Sequence, residues 1–218
     1  MTPQGFDRGY FDRAYRSYAA QNPPHKLAHY LAVMRRHLPV DGSTSVLDVG
    51  CGLGAFAGYL DRETNWGITA VDVDSEVIAH DRQRFPGVDF RVGGAGDLGL
   101  PNATFDAVTA MDVIEHVPDR DAVLASVESV LRPGGFLFFV VPVYDGASGP
   151  IIRRLDHDET HVHRVGRQDW LSWVANRLDV VEWHGIVRYL LPAGLYLHVP
   201  TRRLRRHTPA VLVVAQKR

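Results

Sequence analysis

The stretch VLDVGCGLGAF, residues 46–56, runs an apolar, strand-like segment into Asp48 and then into three glycines at alternate positions, Gly50, Gly52 and Gly54. Glycine takes φ > 0 without penalty and has no side chain, so such a loop lets backbone approach a ligand closely. Apolar before the loop and helix-like after it, the stretch predicts a strand–turn–helix unit. Working outward, the same alternation repeats. The sequence predicts strands at 45–50, 66–74, 88–93, 105–114 and 134–143, with helices at 53–62, 75–85 and 119–132 between them. Ser75 is the expected N-cap of the second helix, and Pro133-Gly134 the expected stop of the third. A further helix is expected at 168–178, and two last strands at 180–190 and 210–216 with no helix between them. Val-, Ile- and Phe-rich strands alternating with helices predict a doubly wound, mostly parallel α/β sheet covered on both faces. The final pair predicts an antiparallel strand inserted near the sheet end.

The chain has 218 residues and is expected to form a single domain, 1–218. Two segments fall outside the alternation: a helical cover over residues 1–44, and a polar, histidine-rich loop over 144–167 expected on the substrate side. In an open α/β sheet, ligands bind beyond the carboxyl ends of the strands, which both segments could cover. The net charge of −1 offers no global field for nucleic acid or an anionic membrane surface. The run RRLRRH, 202–207, reads as a solvated hairpin face. No apolar run reaches spanning length, and the N-terminus lacks a signal-peptide core. With Cys51 the single cysteine, an intrachain disulfide is ruled out and a cytoplasmic location is expected. Cys51 reads as a small residue suited to a crowded loop.

Taken alone, the glycine loop is ambiguous. Gly50, Gly52 and Ala55 fit G-x-G-x-x-A, the fingerprint of NAD(P)- and flavin-binding folds. Asp48 completes D-x-G-x-G-x-G, and Asp72 ends the second strand, where its carboxylate could accept from a ribose. Either cofactor has such a ribose. The blocks downstream, FRVGGAGDLGLPNATFDAV, MDVIEHV and LRPGGFLFFVVP, separate the readings. With VLDVGCGLG they resemble class I S-adenosylmethionine-dependent methyltransferases, in particular the small stand-alone group that includes the ubiquinone-type O-methyltransferases. The resemblance covers roughly residues 45–143.

The resemblance implies a seven-stranded sheet with its last strand antiparallel. It also implies S-adenosylmethionine as methyl donor, S-adenosylhomocysteine as product and a small-molecule acceptor, methylated on O or N. Gly50, Cys51, Gly52 and Gly54 would form the cofactor loop, and Asp48 would orient the cofactor's amino group. Asp72 would take the ribose hydroxyls, and Val73 would pack under the adenine. Ala95 would meet the adenine edge, with Gly94 beside it where many relatives carry an acid; Asp97 is a candidate substitute. Met111 would lie near the methionine portion. Tyr10, Phe11, Tyr15 and Tyr18 could form an aromatic lid over a sulfonium. For the base that removes the acceptor's proton, the candidates are His116 in EHV and His157, His161 and His163 in LDHDETHVHRV, with His161 preferred. Asp156, Asp158 and Glu159 share that segment, but no second element is evident to complete a metal site, so none is expected. The rivals are an NAD(P)-dependent oxidoreductase and a non-catalytic cofactor-binding protein.

Overall fold

The computed structural model describes residues 18–39, 43–146, 149–156, 158–190 and 196–218. Eight strands form one sheet in the order β3-β2-β1-β4-β5-β8-β6-β7. The strands are β1 (Ser45–Val49), β2 (Gly67–Asp72), β3 (Asp89–Val92), β4 (Phe105–Met111), β5 (Leu131–Pro142), β6 (Leu178–Leu190), β7 (Tyr196–Thr201) and β8 (Ala210–Lys217). The pairings β1–β2, β1–β4, β2–β3 and β4–β5 are parallel. The expected antiparallel strand is β8, wedged between β5 and β6. One strand exceeds the expected seven. β7 pairs antiparallel with β6 at the sheet edge, and Pro200 within it suits an edge because proline cannot donate to a ladder. The arginine run follows β7, with Arg205–His207 in a short 3₁₀ turn that leads into β8.

Period-two alternation splits the central strands between two cores. On one face Val46, Ala70, Phe138 and Val140 pack with Leu31 and Met34 of α1 (Pro24–Met34), Leu60 of α2 (Ala55–Glu63) and Ile78 of α3 (Ser75–Arg84). On the other, Leu47, Val71, Val108 and Phe139 pack with Val127 of α4 (Arg120–Val130) and Trp170 of α6 (Arg167–Ala175). α1 is the described part of the N-terminal cover, and it begins with Pro24 at a position where a missing N–H costs nothing. The N-cap of α3 is Asp74 rather than Ser75: its side chain accepts from the Glu76 and Val77 amides. α4 ends at Val130, before Pro133, because Leu131 is already paired with Phe105.

The 144–167 segment is not wholly loop, since it contains α5 (Gly149–Leu155). Its ends are tied to the sheet. Arg167 is 7% exposed, and its guanidinium donates to Asp145 Oδ1 at 2.8 and 2.9 Å. Trp170 Nε1 donates to Pro142 O at 3.2 Å. Among the described residues no helix is long and apolar enough to cross a membrane.

Candidate functional site

One cavity of about 690 Å³ opens beyond the carboxyl ends of β1, β2 and β4. That is large enough for a nucleoside-sized ligand and a small second molecule. At one end its wall is the glycine loop. Gly50 and Cys51 both donate their amides to Val71 O, at 2.8 and 3.0 Å, which turns the chain sharply as it leaves β1. Gly50 has φ +67°, and a Cβ there would come within 2.5 Å of a Val113 methyl. Asp72 Oδ2 accepts the Gly52 amide at 2.9 Å, and Asp72 Oδ1 accepts the Asp74 amide at 3.1 Å. Thus one carboxylate fixes both the loop after β1 and the turn after β2.

Asp48, Gly50, Cys51, Gly52, Asp72, Val73, Gly94, Ala95 and Met111 all line this cavity. Gly54 does not. It caps α2 with φ +64°, and a Cβ there would crowd Asp81, Phe85 and Phe90, so packing explains that glycine. Asp97 is exposed and lies outside the lining, which removes it as a substitute acceptor beside Gly94. Asp48 is fully enclosed. Burial lifts its carboxyl to about 7, although Thr109 Oγ1 donates to it at 2.6 Å. Burial likewise raises Asp72. Two acids poised in this way favour a ligand that brings positive charge or hydroxyl donors. Burial pushes the Cys51 thiol up as well, with Asp48 adding to it, which keeps the thiol inert. Of the aromatic series only Tyr18 lies among the described residues; Tyr10, Phe11 and Tyr15 fall outside them. Tyr18 lines the cavity, and its hydroxyl donates to Cys51 O at 3.3 Å.

The opposite end is built from the residues after β4 and the segment after β5. His116 sits in a 3₁₀ turn, Ile114–His116, and its ring centroid is 4.7 Å from that of His161. His161 Nδ1 lies 2.8 Å from Asp156 Oδ2 and 3.0 Å from the Tyr144 hydroxyl, which itself donates to Asp156. With Nδ1 donating to Asp156, Nε2 is left to accept a proton. Burial and the neighbouring His161 lower the pKa of His116. His163 plays a structural part, with Nε2 2.9 Å from Val117 O; His157 lies outside the described residues. Each of these two loop ends is anchored to the other, because Val162 and His163 donate their amides to Glu115 O at 3.0 and 3.2 Å.

Four cavity residues carry no signal that the sequence reading used: Lys26, Asp112, Glu115 and Arg188. Asp112 has φ +61°, a costly backbone for a non-glycine residue, and it pairs with Arg188 and, at 3.6 Å, with Lys26. Although burial would raise it, Arg188 and Lys26 bring the Asp112 carboxyl down to about 2. Glu115 is 0% exposed, both of its oxygens lack a hydrogen-bond partner among the described residues, and burial holds its carboxyl well above the usual range. Ligand atoms of Glu115, His116 and His161 lie within 4.8 Å of one another. The second element that the sequence did not reveal for a cation site is therefore the turn after β4. EHV contained the signal, since it places an acid beside the histidine.

A family model described as a methyltransferase domain matches residues 47–139, from β1 into β5. Residues 47–139 resemble a methyltransferase domain. The acids and glycines at the loop end would suit a ligand that brings an ammonium, ribose hydroxyls and an amino-acid backbone. The chain is 41% identical over 98 residues to the ubiquinone biosynthesis O-methyltransferase of Xanthomonas axonopodis pv. citri, covering 43% of this chain and 41% of that protein. The chain is 37% identical over 114 residues to an uncharacterized methyltransferase of Mycobacterium tuberculosis, covering 51% of this chain and 57% of that one. The matched stretch thus spans about two fifths to three fifths of the curated relatives' length. Over the whole chain the fold resembles a chain from the complex of the Haloferax volcanii Trm112 methyltransferase activator with a methyltransferase, at TM-score 0.72 and 19% identity, covering 95% of this chain and 97% of that one. Beyond the domain, α1, the 144–167 segment and β6–β7 frame the far end of the cavity.

Proposed function

We propose that the chain moves a methyl group from S-adenosylmethionine to an oxygen or nitrogen of a small molecule by direct displacement, with S-adenosylhomocysteine as product. The observation that supports this reading is the single cavity joining the glycine loop to the His116–His161 end. A donor held at the loop would point its methyl at an acceptor lying among Met111, Tyr144 and His161. Such a displacement needs alignment more than covalent help, and positioning alone can supply about 7–11 kcal/mol of the barrier. In this reading His161 takes the acceptor's proton at Nε2, while Asp156 and Tyr144 orient the ring. A cavity of about 690 Å³ and a net charge of −1 favour a metabolite over nucleic acid or another polymer. The buried thiol suits a reducing cytoplasm.

A second reading of the same end is favoured by Glu115, whose buried oxygens have no partner. A divalent cation held by Glu115, His116 and His161 would acidify an acceptor hydroxyl, and His161 would then be a ligand and not a base.

Calorimetry with S-adenosylhomocysteine and with NADH tests the donor, and transfer of labelled methyl to a panel of phenols, amines and acids tests the reaction. Binding of NADH in place of S-adenosylhomocysteine would return the oxidoreductase reading. Donor binding with no transfer to any acceptor would point to a non-catalytic binding protein.

A further inference from the structure

Three charged side chains that methyl transfer does not itself require meet in the cavity: Lys26 on α1, Asp112 after β4 and Arg188 on β6. Both cations share the one carboxylate. The nearest other acid, Glu115, does not cancel the surplus, because burial and Asp112 favour its neutral form. The Lys26 ammonium is spent within the protein. It donates to Gln21 O and Asn22 Oδ1, each at 3.2 Å, and faces Asp112. Burial draws its pKa down while Asp112 draws it back, and three acceptors around it support the ammonium form.

Arg188 differs. A guanidinium carries five N–H donors. Among the described residues its acceptors are Asp112 and the Tyr196 hydroxyl beside it. Its side chain is 17% exposed and borders the cavity. A largely enclosed cation with donors left open favours an anion, and a planar fork fits a carboxylate.

The sheet order says from which side that anion comes. β6 lies four strands from β1, about 19 Å at the usual spacing. Arg188 therefore reaches into the cavity from the acceptor side, opposite the glycine loop. Given that the acceptor occupies this cavity, as the reading above holds, we propose that Arg188, backed by Lys26, binds a carboxylate of the methyl acceptor, so that the substrate is an organic acid. A carboxylate could also be supplied by the amino-acid end of the cofactor, and the experiment separates the two.

The protein, with and without saturating S-adenosylhomocysteine, is titrated with 4-hydroxybenzoate and with uncharged 4-hydroxybenzamide. The expected result is binding of the acid about tenfold tighter than of the amide. Arg188→Met should abolish that preference and leave S-adenosylhomocysteine affinity within about twofold. Arg188→Met strands Asp112 beside Lys26 alone, so the charge-matched pair Arg188→Met with Asp112→Asn is measured beside it, with the same expectation. Equal binding of the two probes, no binding of the acid, or a preference that survives both variants overturns the proposal. A tenfold or larger loss of S-adenosylhomocysteine affinity in both variants overturns it too, and assigns Arg188 to the cofactor's carboxylate. The measurement without S-adenosylhomocysteine reads Arg188 even if the donor does not bind, so failure of the methyltransferase reading is seen separately.

Discussion

Asp72, at the end of β2, accepts the amide of Gly52 in the loop after β1 at 2.9 Å. One carboxylate thus shapes the loop and faces the cavity with its remaining lone pairs. Asp72→Ala is expected to weaken S-adenosylhomocysteine binding by about 1.5–3 kcal/mol, the range for a lost charged hydrogen bond. Calorimetry gives the value directly. An unchanged dissociation constant would take Asp72 out of the site.

Asp48 gives cofactor affinity an expected dependence on pH. Its carboxyl sits near 7 in the free protein because it is buried, and a ligand ammonium pairs only with the ionised form. Affinity for S-adenosylhomocysteine should therefore rise as pH increases through 7 and level off above it. Asp48→Asn should bind more weakly at pH 8 and show a flat profile between pH 6 and 8. A wild-type profile as flat as that of the variant would contradict the pairing.

Two of the site glycines, Gly50 and Gly94, should respond differently to the same added methyl. At Gly50 the backbone is left-handed and the Cβ would collide with Val113; the conformation alone costs about 1–2 kcal/mol. At Gly94 the Cβ meets only Val73, at 3.9 Å. Gly50→Ala should lower Tm and abolish cofactor binding, while Gly94→Ala should keep the wild-type Tm. Thermal melts with and without S-adenosylhomocysteine distinguish the pair.

His161→Ala should reduce turnover by about 10²–10⁴-fold if the ring accepts the acceptor's proton, with S-adenosylhomocysteine affinity unaltered. Asp156→Asn should lower turnover less, because the ring remains and only its orientation is lost. Glu115→Gln separates the two readings of this end. Turnover should survive if His161 is a base, and should fall and lose sensitivity to EDTA if a cation is held there.

His29 Nδ1 lies 3.1 Å from His198 Nε2, and neither ring lines the cavity. Burial, helped by the neighbouring His184, lowers His29 to about 4, and burial with His29 lowers His198 to about 3. Both rings fold neutral, whereas the unfolded chain protonates them near the ordinary value of about 6.5. Their contribution is present in full above that value and is lost as pH falls toward 4 and 3. His198→Gln should therefore lose less Tm than wild type between pH 7 and pH 5. An equal or greater loss would show that the pair does not titrate in this way.

What the sequence alone determined was local or periodic. β1 and the glycine turn follow from VLDVGCGLGAF, because an apolar run and three glycines constrain backbone whatever surrounds them. The parallel sheet follows from alternation, and Asp48 and Asp72 could be placed because each sits at a strand end. α1 falls within the helical cover expected over residues 1–44. What tertiary structure decided depends on residues far apart in the chain. Lys26, Asp112 and Arg188 lie on three elements, and only the sheet order brings them together. Glu115 looks like any surface acid in EHV until burial strips it of partners. Asp97 looked available until the turn pointed it outward, and Gly54 looked functional until Phe85 and Phe90 packed against it. The glycine-loop end draws most of its residues from the strand–turn units between Asp48 and Ala95, and so could largely be read from the sequence. The opposite end is assembled across 162 positions, from Lys26 to Arg188, so its charge and chemistry exist only in the folded chain.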